Sequence, residues 1–193
     1  MRLATVYLLV SAIVPSLSRA QVPVFAFTTE ESSIKFHVKA SVDLTGTFDK
    51  WDASVKFSSR EAENGVLDIK IQADSVNTGS GMKDGKLKSK DFFNVKENPF
   101  ITFHSTKIEQ AGPDTLNVQG LFTIRGVSKP EGLTFAMTGK GTGVGTIKGT
   151  MAFDRKDYGM NSGIPFIKIA DRVEVTVDLH GKRISGPPLL FKQ

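Results

Sequence analysis

The 193 residues carry 25 Lys and Arg against 20 Asp and Glu, 39% hydrophobic side chains and no cysteine, with 14 Phe but only one Trp and two Tyr. That length suits one domain with a real core, and the composition excludes intrinsic disorder, a disulfide scaffold, a thiolate metal site and a cysteine nucleophile. The net charge of +5 falls to +3 without Arg2 and Arg19, too small an excess, with too few aromatic stacking platforms, for a nucleic-acid partner.

Residues 1–20 place Arg2 ahead of an apolar run from Leu3 to Val14, then Pro15 and Ser18-Arg19-Ala20, the order of a secretory signal peptide. The run falls short of the roughly 20 residues a spanning helix needs. The mature chain is therefore expected from about Gln21 in a periplasm-like compartment, where a protein without cysteine does not depend on the local oxidant.

From there apolar and polar residues alternate: Ile34-x-Phe36-x-Val38, Ala53-x-Val55-x-Phe57, Leu67-x-Ile69-x-Ile71-x-Ala73 and Ile101-x-Phe103. The pattern returns in Leu116-x-Val118, Leu133-x-Phe135-x-Met137, Met151-x-Phe153 and Val173-x-Val175-x-Val177-x-Leu179. Period two with Lys, Asp, Glu and Thr between predicts about eight antiparallel strands, each with one buried face. Asn64-Gly65, Ala111-Gly112-Pro113-Asp114, Arg125-Gly126 and the glycines alternating from Gly139 to Gly145 mark reversals, the last of them a flexible hairpin. Alternation fails from Ser75 to Asn98, where a short helix is expected to turn Leu87, Phe92 and Phe93 inward as a lid. Such a chain forms a sandwich or an up-and-down barrel. Closure removes exposed edges, and eight strands give an interior that just holds one small ligand. Residues 21–184 form this domain, and 185–193, with Pro187-Pro188, read as a C-terminal tail.

Catalytic chemistry finds no residues to use. His37, His104 and His180 lack metal-ligand spacing, no Gly-x-Ser-x-Gly occurs, and the glycine run has neither dinucleotide nor phosphate-loop spacing. Asp154 and Asp157 around Arg155, like Asp171-Arg172, read as structural ion pairs rather than a glycosidase pair. Lys83, Lys86, Lys88 and Lys90 read as a solvated loop. No catalytic residue, metal or cofactor is expected.

Three ordered segments carry a more specific signal: Asp74-Ser75-Val76-Asn77-Thr78-Gly79, Asp84-x-x-Leu87-Lys88-Ser89-x-Asp91-Phe92-Phe93, and Asn98-Pro99-Phe100-Ile101-Thr102-Phe103. With Val118-x-Gly120-x-Phe122-Thr123-Ile124-Arg125-Gly126 and Asp154-Arg155-Lys156-Asp157-Tyr158-Gly159, they make the chain resemble the YceI-like family of polyisoprenoid-binding, lipocalin-like periplasmic proteins. The resemblance implies an all-β, extended antiparallel lipocalin-like barrel of about eight strands with a short helical insertion. It also implies a long apolar channel for isoprenoid or fatty-acyl chains, export to the periplasm, a homodimer and no catalysis. The chain departs from the family pattern at Lys86, Lys88 and Glu131-Gly132.

Alternation and resemblance together name the channel lining. Phe36, Val38, Phe57, Leu67, Ile69 and Ile71 belong to it, as do Phe103, Phe135, Phe153 and Val175, with Leu87, Phe92 and Phe93 shaping one end. Asp84, Arg155, Asp157 and Asn161 are the candidates for a polar portal, where one end of an amphiphile meets hydrogen-bonding groups. The leading function is a non-enzymatic periplasmic carrier for a long-chain lipid. The alternative is an interaction or stress protein whose filled barrel docks on a membrane redox partner. An outer-membrane barrel is disfavoured, because the outward strand positions are charged.

Overall fold

The structure, a computed structural model, describes residues 21–41, 43–163 and 169–192, so the expected signal peptide at residues 1–20 lies outside the described residues. Among the described residues eleven strands follow in chain order. The first six are β1 (Val24–Phe27), β2 (Ser33–Ala40), β3 (Leu44–Phe48), β4 (Trp51–Phe57), β5 (Gly65–Gln72) and β6 (Val76–Asn77). After one helix, α1 (Gly81–Lys88), come β7 (Phe100–Gly112), β8 (Thr115–Ile124), β9 (Val127–Met137), β10 (Val144–Asp154) and β11 (Ile169–Ser185). They form a single sheet in the order β4-β5-β7-β8-β9-β10-β11-β2-β3-β6, with β1 joined to β11. The ladders between these strands are antiparallel.

The all-β, lipocalin-like expectation with one short helix holds, but the closed barrel of about eight strands is corrected to an open, half-barrel-like wrap of eleven. The cause lies between β3 and β4. Asp49-Lys50 interrupt one long strand there, and a 3-10 turn at Ala73–Ser75 interrupts its partner. Across the break the amides of Asp49 and Lys50 donate to the Ser75 carbonyl and Oγ at 3.1 and 3.0 Å, and the Gln72 amide donates to the Lys50 carbonyl at 2.9 Å. Extra residues on one strand bend and re-aim it, as a bulge does. Beyond the bend β3 pairs with β2 and β6, whereas β4 pairs with β5 alone. The other edge of β4 meets β1 through an edge-on contact of Phe25 and Phe57, centroids 5.9 Å apart, with no ladder between them among the described residues.

Inward positions of the long strands build the core. Aromatic rings lie over glycines on neighbouring strands: a Cβ at Gly149 would sit 2.3 Å from the Phe135 ring, and one at Gly46 would sit 2.5 Å from that of Phe36. Helix α1 contains two glycines and a short span, a weak helix by itself. Its anchorage is tertiary: Leu87 is buried, and the Phe93 amide donates to the Leu87 carbonyl at 2.9 Å.

The segment after β11 runs back over the wrap. The Leu190 amide donates to the Arg60 carbonyl at 2.7 Å, and the Ala62 amide donates to the Leu190 carbonyl at 3.1 Å. Gln110 holds the Lys192 backbone from both sides, accepting its amide at 2.7 Å and donating to its carbonyl at 2.8 Å.

Candidate functional site

Two apolar cavities occupy opposite ends of the wrap. The larger, about 130 Å³, lies where β4, β7, β9 and β11 end and β5, β8 and β10 begin. The smaller, about 60 Å³, lies under α1 at the other end. Between them Ile69, Phe103, Leu133, Met151 and Val177 are all buried and line neither cavity. Four of their strands, β5, β7, β10 and β11, supply lining residues to the larger cavity on one side of this layer and to the smaller on the other, so the layer is a packed waist. On β5, for example, Leu67 lines the larger cavity and Ile71 the smaller, with Ile69 between. Ser105 is the polar exception near the waist, and its Oγ accepts the Leu67 amide at 2.8 Å.

Of the apolar positions named from sequence, Phe57, Leu67 and Phe135 line the larger cavity. Phe36, Val38, Ile71, Phe153 and Val175 line the smaller, together with Leu87, Phe92 and Phe93. Ile69 and Phe103 sit in the waist.

The larger cavity also uses residues that sequence reasoning passed over. Phe25 and Phe27 of β1, Met137, and the C-terminal Leu189 and Phe191 line it, and so do Gly139, Gly141, Gly143 and Gly145. Three of these glycines take positive φ, +70° at Gly139, +80° at Gly141 and +86° at Gly143, where a side chain would be strained. The glycine signal was visible in the sequence; what it could not show is that the turn forms a cavity rim. Lys140 pins this hairpin across the mouth. Its ammonium pairs with Asp114 at 2.7 Å, donates to the Pro113 carbonyl, and lies 5.0 Å from the Phe191 ring centroid.

Of the four residues read as a polar portal, Asp84, Arg155 and Asp157 make bonds within the fold, and Arg155 alone of the four lines a cavity. The Asp84 carboxylate accepts the Thr78 amide and hydroxyl at 2.8 and 2.6 Å, fixing the start of α1. Asp157 pairs with Lys129 at 3.2 Å, and Asn161 is exposed. Arg155 is 5% exposed. Its guanidinium donates to the carbonyls of Met160, Ser162 (2.9 Å) and Ala170 (3.2 Å) and to the Asp171 carboxylate at 2.9 Å. The Lys156 ammonium beside Asp171, with Arg155 behind it, holds that carboxyl below its usual range.

Beneath the smaller cavity, fully buried Tyr158 packs edge-on against Phe122 and Phe153 and donates its hydroxyl to Glu131 at 2.9 Å. Burial, then the hydrogen bond to Glu131, pushes this hydroxyl far above the ordinary tyrosine range. Glu131, a departure from the family pattern, thus satisfies a buried polar group. Lys86, another, pairs with Asp91 at 2.6 Å and holds its carboxyl below the usual range.

Among the described residues no group of three or more His, Cys, Asp or Glu is placed to hold a metal. Each histidine faces carboxylates on the sheet surface; His104 lies 2.6 Å from Asp68.

A family model described as the YceI-like domain matches residues 25–181. The chain belongs to the YceI-like family. Membership makes it a periplasmic, non-catalytic protein. Among curated relatives, a UPF0312 protein of Azotobacter vinelandii is 32% identical over 98 residues, 51% of this chain and 51% of that one, so the match spans about half of that relative. Among solved structures, Burkholderia cenocepacia BcnA superposes with a TM-score of 0.73 at 26% identity, covering 80% of this chain and 99% of BcnA. A polyisoprenoid binding domain from Saccharophagus degradans superposes with a TM-score of 0.65 over 83% of this chain and 99% of that domain. At 15% identity this last likeness speaks to the YceI-like fold alone.

Proposed function

We propose that this YceI-like protein is a non-enzymatic carrier that holds a long-chain isoprenoid or fatty-acyl lipid by its apolar chain. The observation that carries the reading is the larger cavity: Phe, Leu, Val and Met side chains line it, and its rim is built from a glycine hairpin and the C-terminal segment. The turn between β9 and β10 and the segment after β11 lie outside the strands themselves. At about 130 Å³ the cavity is close to the ~150 Å³ hole that admits a benzene-sized guest. A long chain therefore enters by displacing the rim or the waist. Enclosing about ten methylenes at ~0.8 kcal/mol each contributes roughly 8 kcal/mol gross, which corresponds to micromolar binding before ordering costs are subtracted. Polyisoprenoids are the first class to test, because a domain of the same fold is a polyisoprenoid binding domain.

The packed waist supports a second reading, an interaction protein whose filled interior is scaffold and whose outer surface docks on a membrane redox partner. Native mass spectrometry of the mature protein purified gently from the periplasm, followed by lipid extraction, separates the two. A stoichiometric prenyl or acyl lipid is the expected result. A clean apo mass that persists after incubation with such lipids overturns the carrier reading, and the same spectrum reports monomer or homodimer.

A further inference from the structure

The larger cavity is apolar except at its mouth, where the two charged side chains that line it, Lys140 and Arg183, are both cationic and no Asp or Glu joins them. Their situations differ. Lys140 is neutralised by Asp114 at 2.7 Å. Arg183 occupies an inward position at the end of β11, opposite Phe25 of β1, and is half-buried. Its Nη1 donates to the Gly186 carbonyl at 2.8 Å, and no carboxylate pairs with it among the described residues. Gly143 lies against its flank: the Gly143 carbonyl accepts the Arg183 amide at 2.7 Å, and a Cβ on Gly143 would stand 3.7 Å from Nη2. Because that position carries no side chain, the hairpin leaves one side of the guanidinium uncovered. A guanidinium has five N–H donors and stays charged at any physiological pH.

We propose that the larger cavity takes an amphiphile with an anionic head, a carboxylate or phosphate monoester on an alkyl or prenyl chain, whose head is held by Arg183. This rests on the chain-binding reading above and adds the head-group class. An unpaired cation at the rim of an apolar hollow selects for the one feature a neutral chain lacks. A charge-assisted bond to an anion is stronger than any bond the same guanidinium makes to a hydroxyl. The C-terminal segment and the glycine hairpin then lie beside the head while the chain meets the Phe lining.

Equilibrium dialysis of the whole mature protein against decanoate and 1-decanol at neutral pH, quantified by mass spectrometry, tests this. The wild type is expected to bind decanoate about tenfold more tightly, the step that one charge-assisted hydrogen bond gives. In Arg183→Gln the ratio of the two affinities falls to about one, and Arg183→Lys, which keeps the charge, restores part of it. Asp114→Asn, which releases Lys140 at the same mouth, raises the ratio. Equal binding of acid and alcohol by the wild type overturns the head-group assignment while leaving chain binding intact. A preference that survives in Arg183→Gln removes Arg183 from the site. Failure of both ligands to bind brings down the chain-binding reading and this assignment with it. A second arm with decyl phosphate distinguishes phosphate from carboxylate as the preferred head.

Discussion

Replacing Arg155 separates a structural role from a ligand-binding one. Methionine keeps the length and removes every donor, so Arg155→Met strips partners from the carbonyls of Met160, Ser162 and Ala170 and from Asp171. Hydrogen bonds to a charged group are each worth about 1.5–3 kcal/mol, but Asp171 is 37% exposed and water can replace that partner. Counting mainly the carbonyls, and allowing some resolvation at the edge of the turn, the loss is roughly 3 kcal/mol. For a domain of this size each kcal/mol moves Tm by about 2–4 °C, so the expected fall is roughly 6–12 °C by differential scanning calorimetry. Retention of co-purifying lipid by the variant that remains folded should be unchanged. A Tm within about 2 °C of wild type, together with lost lipid, would refute the anchor assignment and return Arg155 to the head-group role its position in the sequence suggested.

Two further outcomes follow from the waist and from the C-terminal clamp. Phe103→Ala, a truncation in the packed layer, should cost about 3–5 kcal/mol in chemical denaturation and join the two cavities, so the variant should bind a sixteen-carbon acid more tightly relative to decanoate than the wild type does. An unchanged ratio would mean that the waist does not limit chain length. The second outcome concerns Glu63, whose carboxyl is held below its ordinary 4.5 first by the Gln110 amide and then by the Lys192 ammonium. A carboxyl depressed on folding stabilises the folded state above its unfolded value and loses that contribution as pH falls through the folded one. The clamp should therefore loosen below about pH 4.5. The protection factor of the Leu190 amide, taken against the intrinsic exchange rate at each pH, should fall on acidification before those of the β8 amides do, and in Glu63→Gln it should be lowered at neutral pH as well.

Alternation made the long strands readable because every second residue is forced to the same side of the sheet. Leu67, Ile69 and Ile71 are buried, while Val66, Asp68 and Lys70 between them are not. The short strands escaped the same logic. Val24-Phe-Ala-Phe27 is apolar throughout, β6 has two residues, and β3 places Gly46 at an inward position because the Phe36 ring fills the space a side chain would need. Period two also reports which face is inside without reporting whether that inside is hollow. Phe103 and Phe135 carry the same pattern, yet one is waist and the other cavity wall, a difference set by how neighbouring strands stagger. The structural bonds made by the portal candidates were hidden for a related reason. Arg155 follows the end of β10, where a chain that reverses direction leaves buried carbonyls to be satisfied, while Asp84 holds the Thr78 amide and hydroxyl from within α1 and Asp157 pairs with Lys129.

The two ends of the wrap differ in what holds them shut, and this decides which end a ligand uses. The α1 end is closed by buried side chains: Leu87, Phe92 and Phe93 are 4%, 2% and 8% exposed, the Phe48 and Phe93 rings pack at a tilt with centroids 5.8 Å apart, and Asp84 fixes the helix to Thr78. Opening it exposes three large apolar residues, each worth about 1.5–3 kcal/mol when buried. The rim of the other end has no fully buried large side chain of this kind: the C-terminal segment is held by hydrogen bonds of Leu190 and Lys192, and it and the hairpin are held by ion pairs at the surface. Lys140 with Asp114 and Lys192 with Glu63 each have at least one partner more than half exposed, and such pairs are individually worth at most about 1 kcal/mol. Glycines at positive φ in the hairpin add no packing that would resist its movement. Thermal opening therefore favours the end that carries the larger cavity and Arg183. High salt, which screens surface pairs and spares buried apolar contacts, should speed exchange of a bound chain there without lowering Tm by more than a few degrees. Exchange that is indifferent to salt would instead point to entry beneath α1.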